Sequence, residues 1–211
     1  MNTPGGGPTM LDPLEVVEGR PFTAIEHSAR DLEIMTAMLA DVLEVLEDID
    51  RGRRVVAPYQ KLVWKVDGLT HRLLLTDEER LRAHPGPCVV GFFGERHIEL
   101  DPSPLEEANT AIVADFADYP GILSYGSIEV GNGRWANLVL HDDPVDREYW
   151  RRNPRHAEAV RVLSPVHYKH VRIHNARLSG PVSENPSVIA LRTKYFDYTE
   201  PEVWRAERPS P

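Results

Sequence analysis

The stretch Cys88-Val89-Val90-Gly91-Phe92-Phe93-Gly94-Glu95-Arg96 opens the part of the chain that decides its architecture. Its apolar centre and short length predict a strand. Asp101-Pro102-Ser103-Pro104-Leu105-Glu106 follows and reads as a helix start, with Ser103 as N-cap, Pro104 in the first turn and Glu106 closing a capping box. Leu105, Ala108, Ile112 and Phe116 give that helix one apolar face, and Tyr119-Pro120-Gly121 ends it. Ile122–Val130 and Trp135–His141 are two strands around Gly131-Asn132-Gly133, a tight turn that makes them antiparallel neighbours. Asp143-Pro144 caps a second helix, and Asn153-Pro154 caps its continuation towards Leu163, so a break is expected between them. Val166–Leu178 lacks a helical stripe and suits a strand, although Ser164-Pro165 resembles one more cap.

Outward from this segment the pattern loosens. Upstream, Leu32, Met35, Leu39, Val42, Leu46 and Ile49 recur at steps of three and four, predicting a helix from about Ser28 to Asp50. Ile34, Met38, Leu43 and Val45 widen the stripe beyond a coiled-coil seam, which favours packing on its own domain over dimerisation. Tyr59–Val66 and Thr70–Leu75 flank Asp67-Gly68, a hairpin signal, and Thr76 with Glu79 suggests the cap of a short helix. Downstream, Val188–Phe196 is a further strand, and the end past Thr199 reads as frayed.

The expected fold class is therefore α+β. A ferredoxin-like β-α-β-β-α-β unit spans residues 87–198, preceded by a helix and β-hairpin extension over 21–86 and a flexible tail over 1–20, with 199–211 loose.

Composition narrows the function classes. The chain has 211 residues, 41% of them hydrophobic and 27% charged, which is ordinary for a globular protein. A net charge of -9 disfavours nucleic acid and anionic membranes as partners. Cys88 is the single cysteine, so an intrachain disulfide is impossible and a reducing, cytoplasmic setting fits. No run approaches the ~20 apolar residues of a membrane span. Motifs of the H-E-x-x-H, P-loop, G-x-G-x-x-G and G-x-S-x-G kinds do not occur.

Histidine is the residue type that draws attention, because its charge changes near neutral pH. On a strand through Val166–Leu178, His170, Arg172 and His174 share one face while Val171 and Ile173 share the other. That polar face either lines a cavity or meets solvent. His156, in the first turn after Asn153-Pro154, is disfavoured from protonation by the positive helix end and would serve as a base or a ligand. If Val166–Leu178 were helical, His167, His170 and His174 would line up as a metal face, but no carboxylate partner accompanies them, so no metal is expected. Trp135, Phe93, Tyr125 and Asn137 are candidate substrate contacts. Tyr125 and Asn137 each need a hydrogen-bond partner, which a bound molecule would supply.

The strand Trp135-Ala136-Asn137-Leu138-Val139-Leu140, the helix with Tyr149-Trp150 and His156 beyond it resemble the dimeric α+β barrel superfamily, which includes small antibiotic-biosynthesis monooxygenases. The likeness covers residues 88–178 and rests on element order with a loose Trp and His pattern. It implies a homodimer whose two sheets close around a pocket for a small organic molecule, often with no cofactor and sometimes with haem. Three functions follow as expectations. One is an enzyme, a cofactor-independent monooxygenase, isomerase or cyclase, with His170, His174 or His156 as general base and Arg172 stabilising an anion. The second is a haem protein with one of these histidines as axial ligand. The third is a non-catalytic ligand-binding or assembly protein.

Overall fold

A computed structural model describes residues 7–210. It is a mixed α+β structure around one nine-stranded sheet, ordered β1-β9-β8-β7-β4-β6-β5-β3-β2. Every pairing is antiparallel except that of β1 (Thr9–Met10) with β9 (Trp204–Pro209). The centre of the sheet is β7 (Tyr168–Leu178), β4 (Cys88–Arg96), β6 (Arg134–His141) and β5 (Ile122–Glu129), the four strands expected from the sequence. The hairpin β2 (Lys61–Val66) and β3 (Leu69–Leu75) extends one side by pairing with β5. Asp67 and Gly68 both take positive φ, 51° and 81°, as a two-residue hairpin turn requires. The other side is extended by β8 (Val188–Asp197) and then β9.

The two faces of this sheet carry different covers. The long helix α1 (Ile25–Asp50) lies on one, burying Met35, Met38, Leu39, Val42, Val45 and Leu46 against Leu73, Leu75, Val89, Phe93, Leu138, Leu140 and Ala176. Gly91 lets α1 come close: a Cβ there would stand 2.5 Å from the Met35 sulfur. At ~25 cal/mol per Å² of apolar surface this is the main stabilising contact of the fold.

On the opposite face lie α3 (Ser103–Ala114), α4 (Pro144–Trp150) and α5 (Pro154–Glu158), which continues through a π-turn at Ala159–Leu163 into α6 (Ser164–His167). Pro165 has no N–H to return to the preceding turn, and the widened π-turn just before it accommodates that gap. This cover is looser. Of the apolar face expected on α3, only Phe116, in the short 3₁₀ turn after the helix, is buried, packing with Leu74, Ile122 and Trp150.

Several local expectations are corrected. Asp77, not Thr76, caps α2 (Glu78–Ala83), accepting from the Arg80 N–H, while the Thr76 hydroxyl donates to the Ile122 carbonyl. At α3, Ser103 is not a capping acceptor, because its N–H and hydroxyl both donate to Asp101. Asp143 and Asn153 cap α4 and α5 as expected, accepting from the Asp146 and His156 N–H groups.

The chain past Thr199 is not frayed along Trp204–Pro209, which forms β9. Nor is the described part of the N-terminal tail loose: Thr9 and Met10 pair with Ala206 and Glu207, and Leu11 is buried with Phe22, Tyr195 and Ala206. Arg208 fastens this corner. It is 2% exposed and donates to the carbonyls of Asp12, Glu15 and Thr23 and to the Tyr195 hydroxyl, while Arg20 covers the ring of Trp204. The first six residues of the expected tail lie outside the described residues. Among the described residues no helix is long and apolar enough to cross a membrane.

Candidate functional site

His170, Arg172 and His174 do share a face of β7, and Phe93, the cross-strand partner of Arg172, shares it with them. That face is the one covered by α1. Arg172 donates to both carboxylate oxygens of Asp31 on α1, at 2.6 and 2.9 Å. His174, 1% exposed, has Nε2 2.9 Å from Asp31 and Nδ1 2.9 Å from the Thr193 hydroxyl, with its ring edge-on to Phe93. Burial works against ionisation of Asp31, yet His174 and Arg172 outweigh it and hold the carboxyl below its ordinary value. Ser28 and Asp41 of α1 add contacts to Tyr195 and to His71, the latter packed beside Trp64. His170 stacks on Phe22 at 4.2 Å between ring centres. The polar groups of Asp31, Arg172 and His174 are spent on one another and fix α1 to the sheet.

Haem would need an imidazole nitrogen free to meet iron. His174 has none to spare; among the described residues His170 Nδ1, its ring stacked on Phe22, and His156 Nδ1 on the opposite face are buried without a hydrogen-bond partner. Two open grooves, of about 340 and 410 Å³, lie beside α3–α5 and beside α2, and neither is lined by a histidine. Neither groove offers a histidine to a haem iron. Among the described residues no group of three histidine, cysteine or acidic side chains is arranged to hold a metal ion.

The opposite, helix-covered face brings together a second set. His141 ends β6 beside Cys88 of β4, which faces Arg177 of β7 on its other side. Arg147 of α4 reaches down to Asn175 of β7, 3.4 Å away, and His156 of α5 turns inwards against the Trp150 ring, 5.4 Å between centres. Asn153 positions α5: its carbonyl oxygen takes the His156 N–H and its amide donates to Asp115 of the turn after α3.

Among the described residues, four buried atoms in this group lack a hydrogen-bond partner: His141 Nδ1, His156 Nδ1, Arg147 Nε and Asn175 Nδ2. Each such orphan costs roughly 1–3 kcal/mol, so a cluster of them marks a place where a partner belongs. Burial, reinforced by Arg147 and His156, pushes His141 down to about 4, leaving it a neutral imidazole at pH 7. His156 is lowered as well. The direction is the one expected from the sequence, with burial as the first cause and the Arg151 charge as the second. Burial raises the Cys88 thiol, which keeps it protonated and a poor nucleophile.

The remaining sequence candidates lie further along this same face. Tyr125 already has a partner, donating to Asn109 of α3 at 2.9 Å, so it needs no ligand. Trp135 carries the guanidinium groups of Arg72 and Arg96 on its ring, and Asn137 is its neighbour on β6. His141, Arg147 and Asn175 were not among the sequence candidates, because they meet only through strand register and the docking of α4. One signal was present: His141 closes the apolar run Leu138-Val139-Leu140, two residues before Asp143 of the Asp143-Pro144 cap.

No family model matches the chain, and no curated protein matches it. Among solved structures it is similar to the protein SO0527 from Shewanella oneidensis, at 13% sequence identity and a TM-score of 0.37, over 44% of this chain and 93% of that one.

Proposed function

We propose that this protein performs general-base chemistry on a small organic anion held between α4–α5 and the sheet. A neutral imidazole, His141 or His156, takes a proton from the substrate. The electron pair left behind settles on a substrate oxygen facing Arg147, and return of the proton to a different carbon completes an isomerisation. The observation that carries this reading is the set of four unpartnered buried atoms contributed by β6, β7, α4 and α5, with Arg147 in contact with Asn175 and with Arg147 and His156 in electrostatic reach of His141. The depressed His141 value suits a base that must be uncharged before it acts.

The supporting frame is a ferredoxin-like unit, favoured by the strand order β7-β4-β6-β5 and by α3 and α4–α5 on one face. We propose that the pocket belongs to a single chain. A barrel closed by two sheets would use the face that α1 covers.

The test is binding of acetate, pyruvate and malonate, followed by the imidazole resonances of His141 and His156. Binding of one of these that moves both signals, and that Arg147→Met weakens tenfold or more, is the expected result. Unmoved rings, together with an Arg147→Met protein more stable than the parent, would reduce the cluster to a packing defect and end the proposal.

A further inference from the structure

The same sheet face carries a second constellation, remote from His141 at the other end of β6. Trp135 lies under two guanidinium groups, Arg72 of β3 at 4.9 Å and Arg96 of β4 at 4.4 Å from the ring centre. Among the described residues neither makes an ion pair with a carboxylate, and Arg96 Nε is buried without a hydrogen-bond partner. The carboxylates of Glu106 and Glu129 pull on Arg96 from beyond pairing distance, while Arg72 repels it. Two like charges on one indole, half withdrawn from water, are a costly arrangement unless an anion joins them.

The surroundings describe that anion. Gly94, the cross-strand partner of Trp135, has no side chain, and the space its Cβ would fill is taken by the ring of Tyr168 and the edge of Phe92. Phe92 and Tyr168 meet edge to face at 5.5 Å. An aromatic corner, one ring edge-on to the other, therefore stands beside the paired guanidiniums, with the Asn137 amide next along β6. A bare inorganic anion would use the charges and leave the corner idle.

We infer that this end of the sheet binds an aromatic carboxylate, its carboxyl group received by Arg96 and Arg72 and its ring by Phe92 and Tyr168. Guanidinium groups match carboxylates geometrically, and a dry aromatic flank strengthens the contact. The site is separate from the His141 cluster and does not depend on the chemistry proposed there.

Calorimetric titration with benzoate tests it, with acetate and inorganic phosphate as comparison probes. Benzoate is expected to bind at least tenfold more tightly than acetate. Arg96→Met is expected to lower that affinity tenfold or more and Arg72→Met by a smaller factor, both leaving the His141 and His156 resonances unmoved. Equal binding of acetate, phosphate and benzoate would overturn the aromatic assignment. Benzoate affinity unchanged in the Arg72→Met, Arg96→Met double variant would overturn the site, and a folded double variant by circular dichroism makes that result decisive.

Discussion

Two clusters of polar residues, one on each face of the sheet, are of the same kinds and are treated in opposite ways. Under α1, Asp31, Arg172, His174 and Thr193 form a closed circuit with short, complementary contacts. Under α4 and α5, His141, His156, Arg147 and Asn175 are withdrawn from water and left with unanswered nitrogens. A buried polar group that is fully paired fixes the fold. One that is unpaired weakens it and is kept for another reason. Histidine and arginine on a shared strand face were thus a poor guide to where polar groups stand unpaired, since Arg172 and His174 of the best-aligned set are already engaged by Asp31.

Removing one member of the closed circuit should have the largest effect. Asp31→Ala strands Arg172 and His174 beneath α1 and is expected to cost about 3–5 kcal/mol of stability in urea unfolding. A loss no greater than that of Arg147→Met on the other face would erase the contrast between the faces.

Acid should act next, and first on the open side. The His141 value is about 4 in the folded chain against an ordinary 6.5, so the unfolded chain takes the proton first as pH falls. Stability is therefore constant above pH 6.5, declines from there towards pH 4 by on the order of 3 kcal/mol, and levels off below. His156 contributes in the same direction. Asp31, lowered, keeps its contribution above its ordinary 3.8 and loses it only at lower pH. His141→Asn should flatten most of the slope between pH 4 and 6.5; an unchanged slope would place the titration elsewhere.

The smallest effect sharpens the comparison inside the open side itself. Asn153→Ala deletes the α5 cap and its bond to Asp115, costing about 1–2 kcal/mol. Because α5 carries His156, pyruvate binding should fall with it, whereas loss of the Asp143 cap on α4 should act through Arg147.

What could be read in advance followed from local rules. Strand alternation, the Asp67-Gly68 turn and the Asp143-Pro144 and Asn153-Pro154 caps are properties of neighbouring residues, and each is realised. Caps failed where two capping side chains compete: Asp77 beat Thr76, and Asp101 engaged Ser103. β9 was missed because it is short and charged, with Pro209 at its end. Its order comes from Arg208 and Tyr195, partners that no local pattern joins. The periodicity of α1 showed that it buries a face, but not that the face would cover His174. The candidate site was illegible for the same reason, because cross-strand register and helix docking bring its residues together.

Each of the four tryptophans rests against a different cation or imidazole: Trp64 beside His71, Trp135 under Arg72 and Arg96, Trp150 against His156, and Trp204 beneath Arg20. Indole emission is sensitive to a neighbouring charge, so variants keeping one tryptophan apiece give four optical reporters at known addresses. The Trp150 signal follows His156 as it gains a proton, Trp135 follows the paired guanidiniums, and Trp64 and Trp204 watch the α1 side and the β9 corner while those sites are probed.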